Sequence, residues 1–244
     1  MNVIIVGATS AIAQAAAREF AARGCTLYLI ARNAQKLGLV AADLKTRSGR
    51  EVQTRVLDLC ETAAHPALLA EAERTMGPAD VFLVAHGVLG DQARAIQSYE
   101  TARGILEANF LSVVSMLTSV SNVFEARRSG TIAVISSVAG DRGRQSNYVY
   151  GVSKGAVSIF LQGLRNRLAK SNVHVVTIKP GFVDTPMTAA FKKGLLFASA
   201  DTVGRGVVRA ILKKKDVVYV PGFWRLIMIV ICLVPERIFK RLSL

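Results

Sequence analysis

Cysteine is scarce in this chain. Its three cysteines, Cys25, Cys60 and Cys232, are odd in number and far apart, and none has the CxxC spacing of a zinc or redox site. A disulfide framework is excluded, and a reducing, cytoplasmic setting is expected. The three histidines, His65, His86 and His174, are scattered, so no metal is expected. Aromatic residues make up 7% of the chain, with one tryptophan, which suits an interior of Val, Ile, Leu and Ala. A bilayer span needs about 20 apolar residues. The C-terminal apolar run, Leu226 to Val234, is far shorter and stops at Arg225 and Pro235. The N-terminal run "VIIV" ends at Gly7 with no cationic segment before it, so no secretory signal is expected. No linker, repeat or low-complexity segment interrupts the 244 residues, which fit one domain.

Acidic residues are also few. Asp and Glu total 17 against 31 Lys and Arg, a formal charge of +14. Such a surplus favours an anionic partner: nucleic acid, anionic lipid or a phosphorylated substrate. No basic and aromatic residues interleave in the manner of a nucleic-acid surface, so nucleic acid is not expected.

What is present is alternation. "NVIIVG", "TLYLIAR", "EVQTRVLDL", "ADVFLVAHG", "GTIAVISS" and "NVHVVTIKPG" read as six strands, with helical stretches between them. One long helix is predicted from about Ser98 to Arg128. Continuous apolar strands alternating with helices imply a parallel sheet covered on both faces. The fold class is α/β, a doubly wound, Rossmann-type sheet in a single domain, with an apolar and basic helical tail. The catalytic domain is expected over 1–220, with a substrate loop at about 182–200 holding a short helix. The tail is expected over 221–244.

"VGATSAIA" joins the first strand to the first helix. A tight turn there aims backbone N–H groups and the positive helix end at a pyrophosphate. Gly7 supplies the permissive backbone, and Thr9 and Ser10 can donate hydroxyls or cap the helix. The later glycines of a dinucleotide fingerprint are replaced by Ala11 and Ala13. The second strand ends in Arg32, where an NAD-selective fold carries an acid. A guanidinium there can pair with a 2′-phosphate, which favours NADP(H), with NAD(H) as the alternative. Asp58, after the third strand, can accept from the adenine amine.

"YGVSK" puts Tyr150 and Lys154 on one helix face. A phenol is a poor acid or base at neutral pH, and a cation one turn away is expected to lower its pKa. Ser137, thirteen residues before Tyr150, can hold a substrate oxygen beside the phenol. Asn109 can hold a water behind Lys154.

These pieces, with Gly87 in "AHG" and "PGFVDTPM", make the chain resemble the short-chain dehydrogenase/reductase family over nearly its whole length. The resemblance implies an NAD(P)-dependent oxidoreductase acting between ketone and alcohol. It implies Ser137, Tyr150, Lys154 and Asn109 as catalytic residues. It implies that Pro180, Gly181, Val183 and Thr185 wrap the nicotinamide. Ile12, Leu59, Ala85 and Gly87 join Gly7, Thr9, Ser10, Arg32, Asp58, Tyr150 and Lys154 in the implied cofactor set. A homo-oligomer is expected on the same ground. "VAHG" departs from the family's usual Asn-Ala-Gly run. His86 there can line the cofactor cleft, and the preferred reading is a packed, hydrogen-bonded residue at the strand end.

The substrate is narrowed by two stretches. Arg142 and Arg144 precede the catalytic tyrosine, and two guanidiniums beside an active site suit a phosphate. From Lys213 to Leu244 there are seven basic and two acidic residues around the apolar run. Such a segment suits a membrane surface, the protein core or a twin subunit. Both stretches resemble the branch of the family that reduces decaprenylphosphoryl 2-keto-pentose. There a flavin oxidase makes the 2-ketone and the reductase returns hydride to the other face, completing an epimerisation that yields the arabinose lipid. A peripheral location at the inner face of the membrane is expected. The alternatives are a reductase of another lipid-like ketone, fatty acyl, sterol or retinoid, and a non-catalytic nucleotide-binding adaptor.

Overall fold

A computed structural model describes residues 1–242, so Ser243 and Leu244 of the 221–244 segment lie outside the described residues. Among the described residues nine strands form: β1 (Asn2–Val6), β2 (Thr26–Ala31), β3 (Gln53–Val56), β4 (Val81–Val84), β5 (Thr131–Ile135), β6 (His174–Pro180), β7 (Val183–Asp184), β8 (Ala198–Ser199) and β9 (Val217–Val220). Seven of them make one parallel sheet in the order β3-β2-β1-β4-β5-β6-β9. The helices are α1 (Ala11–Ala22), α2 (Ala34–Ser48), α3 (His65–Met76), α4 (Gln92–Gln97), α5 (Tyr99–Leu106), α6 (Ser112–Arg127), α7 (Tyr148–Leu168), α8 (Ala200–Leu212), α9 (Trp224–Leu233) and α10 (Glu236–Phe239).

Side chains alternate across a strand, so a sheet covered twice needs apolar residues at successive positions. β1 shows how this works. Val3 and Ile5 pack into the core shared with α1, α2 and α8, while Ile4 and Val6 face the core shared with α3, α6 and α7. β3 is the polar exception, exposed along its length at the sheet edge. Register levels the carboxyl ends of the central strands: Val6 lies beside Ile30 and Val84, and Ile135 beside Ile178. Strand order reverses between β1 and β4, which opens a crevice at that edge.

Three elements differ from expectation. β9 is a seventh strand, which four residues of "VVYV" do not distinguish from a helical start. The 182–200 loop holds a two-residue strand pair, β7 with β8, and a single 3₁₀ turn at Pro186–Thr188. The long helix divides into α5, a π turn at Glu107–Leu111 and α6. This rod is long and apolar enough to cross a membrane, but Met116, Leu117, Val120 and Phe124 bury its inner face in the core.

Candidate active site

A cleft of about 560 Å³ runs along the carboxyl edge of the sheet. At one end the chain turns from β1 into α1. Gly7 has φ +76°, and a Cβ there would sit 2.5 Å from the His86 backbone nitrogen. Only glycine fits, and the turn therefore seats directly on the end of β4. Ser10 caps α1 by accepting from the Ala13 N–H at 3.2 Å. No acid occupies the first turn of α1, so its positive end meets the cleft unopposed. Thr9, Ser10, Ala11 and Ile12 line the cleft there. Ala13 is fully buried instead, so its methyl fills the core and leaves the cleft clear.

Further along, Arg32, Asp58, Leu59, Ala85 and Gly87 also line the cleft. One Asp58 oxygen accepts from the Cys60 N–H at 3.0 Å. Lys36 joins Arg32 on the cleft wall. Sequence reasoning passed over Lys36, although it follows Arg32 by four residues in the first turn of α2. Asn33 caps that turn, accepting from the Lys36 N–H at 2.8 Å.

Ser137, Tyr150 and Lys154 meet in the middle of the cleft. Ser137 lies two residues beyond β5 and accepts from the Ala139 N–H at 3.1 Å, which leaves its own proton available to donate. Lys154 donates to the Ile135 carbonyl at 3.0 Å. Its Nζ lies 5.9 Å from the centre of the Tyr150 ring. Burial lowers the Lys154 ammonium to about 8. The Tyr150 phenol is raised by burial and drawn partly back by the Ser137 hydroxyl. The expected lowering is therefore corrected: loss of water around the ring raises the phenol, and Ser137, not the lysine, is the group that offsets this.

Asn109 lies behind the cleft wall. Its side chain is wholly buried and does not border the cleft. The amide accepts from the Val88 N–H at 2.7 Å and donates to the Val88 carbonyl and Ser153 at 2.8 and 3.1 Å. It is occupied in clamping the segment after β4, which leaves the side chain no donor for a water. The π turn that carries it is a common device where a helix serves a site.

His86 is packed and also lines the cleft. Its Nε2 lies 2.8 Å from Ser112 Oγ, and burial together with the Lys154 charge lowers it to about 3, so the ring is neutral.

The two arginines separate. Arg142 is turned away from the cleft. It donates to the Ile231, Cys232 and Val234 carbonyls at 2.7, 3.1 and 2.6 Å and pairs with Glu236 at 3.0 Å. Its guanidinium lies 3.8 Å above the Phe239 ring. The phosphate role expected of Arg142 is thereby corrected: a full set of tail acceptors uses its donors. Arg144 does border the cleft. Its buried Nε has no hydrogen-bond partner, and its other close contact is the Met228 sulfur at 3.3 Å. Burial disfavours its charge.

Pro180, Gly181, Val183 and Thr185 form the far wall with Phe182, Met187 and Phe191. The tail backs this wall. Trp224 and Met228 are buried against Val138, and Trp224 stands edge-on to Phe182 at 5.2 Å. A Cβ on Gly181 would overlap the Trp224 ring at 1.9 Å.

Comparison with known proteins places this geometry in context. A family model described as short chain dehydrogenase matches residues 1–195. An uncharacterized oxidoreductase of Mycobacterium tuberculosis is 35% identical over 240 residues, covering 98% of this chain and 96% of the relative. Among solved structures, an actinorhodin polyketide ketoreductase with NADPH superposes with TM-score 0.81 at 24% identity, covering 91% of this chain and 96% of that one. Levodione reductase superposes with TM-score 0.83 at 21% identity and covers the same shares. At those identities the two structures show the fold.

Proposed function

Because the chain belongs to the short-chain dehydrogenase/reductase family of NAD(P)-dependent oxidoreductases, we propose that it reduces a ketone to a secondary alcohol. The ketone proposed is the 2-keto group of a polyprenyl-phosphoryl pentose. The observation carrying the reaction is the meeting of Ser137, Tyr150 and Lys154 on one stretch of cleft wall.

The residues present fit a nicotinamide dinucleotide. The Gly7 turn seats on the end of β4 and presents the α1 N-terminus to the cleft, where a pyrophosphate would lie. Arg32 and Lys36 offer two cations on the stretch of wall that also carries Asp58, and this pair favours the 2′-phosphate of NADP(H) over NAD(H). When bound, the reduced cofactor supplies hydride to the carbonyl carbon. Ser137 donates its hydroxyl to the carbonyl oxygen and holds it beside the phenol. Tyr150, kept protonated by burial, transfers its proton to that oxygen as negative charge grows. Lys154, an ammonium below about pH 8, stabilises the phenolate left behind. Asn109 positions the Gly87–Val88 segment beside them.

Arg144 supports a phosphorylated substrate. A guanidinium deprived of water and left with an unpaired Nε gains most from an anion. Phe182, Met187 and Phe191 suit an apolar portion of the same molecule. These walls equally favour an unphosphorylated lipid ketone, and Arg144 separates the two readings. In the first reading a flavin oxidase supplies the ketone.

The test is turnover of a short-chain polyprenylphosphoryl 2-keto-pentose with NADPH and NADH. NADPH oxidation should yield the arabinosyl lipid. Tyr150→Phe should lose about 10²–10⁴-fold in rate while binding cofactor normally. Arg144→Gln should raise KM for this substrate roughly tenfold or more, with a neutral ketone unaffected. Turnover surviving in Tyr150→Phe would refute the mechanism. An unchanged KM in Arg144→Gln would move the substrate to unphosphorylated ketones.

A further inference from the structure

The tail is amphipathic in a way its packing does not use up. α9 turns Trp224 and Met228 inward. Its opposite stripe, Leu226, Ile229, Val230 and Leu233, stands in solvent, with Val230 65% and Leu233 75% exposed. The spacing of three, four and seven makes this one continuous face. Ile238 in α10 and Leu242 after it are exposed as well. Four exposed cations, Arg225, Arg237, Lys240 and Arg241, flank the stripe. Glu236, the acid within this segment, is held by Arg142.

We propose that this face docks the protein on an anionic lipid bilayer, with the cleft mouth held at the lipid surface. Ten helical residues span about 15 Å, too short to cross a bilayer and suited to lying along its interface. The rim is what a bilayer with anionic headgroups complements. A second copy paired through the same face by two-fold symmetry would bring eight such cations together, which like-charge repulsion opposes.

The inward face of α9 backs the cleft wall. Phe182 lines it and stacks on Phe197 at 5.3 Å while meeting Trp224 edge-on. The loop between β7 and β8 that is joined in this way exposes Phe191, Leu195 and Leu196, with Leu195 bare to solvent. The loop and α9 therefore each expose apolar residues and are joined through the Phe182–Trp224 contact. Arg142 anchors the tail. It sits between Ser137 and Tyr150 in the chain and ties α9 and α10 to that segment through three carbonyls, a carboxylate and a ring. The inference deepens the functional reading, since a lipid-linked ketone resides in such a bilayer, but the surface stands on its own residues.

Co-sedimentation of the full chain with vesicles tests it. Phosphatidylcholine vesicles containing phosphatidylglycerol should carry the protein down, and vesicles of phosphatidylcholine alone should carry far less. Added salt should weaken the binding. Val230→Glu with Leu233→Glu should cut binding roughly tenfold or more. Because both positions are exposed, thermal stability and turnover of a small water-soluble ketone should be unchanged. Lys240→Glu with Arg241→Glu should abolish the preference for phosphatidylglycerol. Equal sedimentation of the double-glutamate variant and the parent would overturn the proposal. So would light scattering that shows the parent as a dimer, the variant as a monomer, and neither on vesicles, since the occupant would then be a second copy. Vesicle binding without turnover of any ketone would leave the docking surface standing and remove the catalytic reading.

Discussion

Lys154 illustrates how a side chain's chemistry can oppose its own burial. In the unfolded chain its pKa is 10.5, and in the fold it is about 8. Between those values the folded chain binds fewer protons than the unfolded chain, so this group makes stability rise with pH through that window. Below about pH 8 both states carry the charge, and the penalty is present in full. Lys154→Met should therefore raise the unfolding free energy at pH 7 by roughly 1–3 kcal/mol while removing turnover. Urea titration at pH 7 and pH 10 would show the gain shrinking at the higher pH. A loss of stability at pH 7 would mean that the bond to the Ile135 carbonyl outweighs the burial. In the parent protein, kcat/KM for reduction should fall above about pH 8 as Lys154 loses its proton. The Tyr150–Lys154 pair was legible in sequence because four residues on a helix always share a face. The direction of the phenol's shift was not legible, since burial is set by what packs around the ring.

The π turn and the tail carry the main lessons about elements. The stretch from about Ser98 to Arg128 reads as one helix. Asn109 breaks its regularity with three hydrogen bonds to Val88 and Ser153, partners 21 and 44 residues away that no local pattern announces. Arg142 likewise reads as an active-site cation by its position, yet its acceptors lie about ninety residues onward, at the end of α9. Helix C-termini leave carbonyls unpaired, and a guanidinium satisfies several at once. Arg142→Ala should then lower stability by about 1–3 kcal/mol and speed hydrogen exchange in the amides of 231–239. Arg142→Lys should restore little, because one ammonium cannot cover three carbonyls and stack on Phe239. Weaker substrate binding with unaltered exchange in that segment would return Arg142 to the phosphate role.

For the molecule as a whole, the cleft crosses the strand-order reversal between β1 and β4 and gathers residues from six strand ends. A cofactor that bridges them binds the folded chain alone. It should stabilise that chain by about 2.7 kcal/mol at a hundredfold excess over Kd, a rise of roughly 5–10 °C in Tm for a chain of this size. NADPH should give the larger rise at equal concentrations, and Arg32→Asp should reverse that order. Differential scanning fluorimetry reads both. Equal shifts for the two cofactors in the parent would remove Arg32 and Lys36 as the source of selectivity.

The sequence alone determined the parallel sheet, six of its seven large strands and the line of residues from Gly7 through Ser137 to Thr185. The sheet follows from strand and helix periods and the Tyr150–Lys154 pair from a four-residue helical step, while the stretch from Pro180 to Thr185 was legible only through the resemblance to the family. A parallel sheet then has one way to bring its strand ends together. Tertiary structure alone decided which arginine borders the cleft and what Asn109 holds. It also decided that Lys36 joins Arg32 and that Trp224 presses against Gly181. Long polar side chains choose among acceptors that meet only when distant segments pack, and no spacing along the chain encodes that choice.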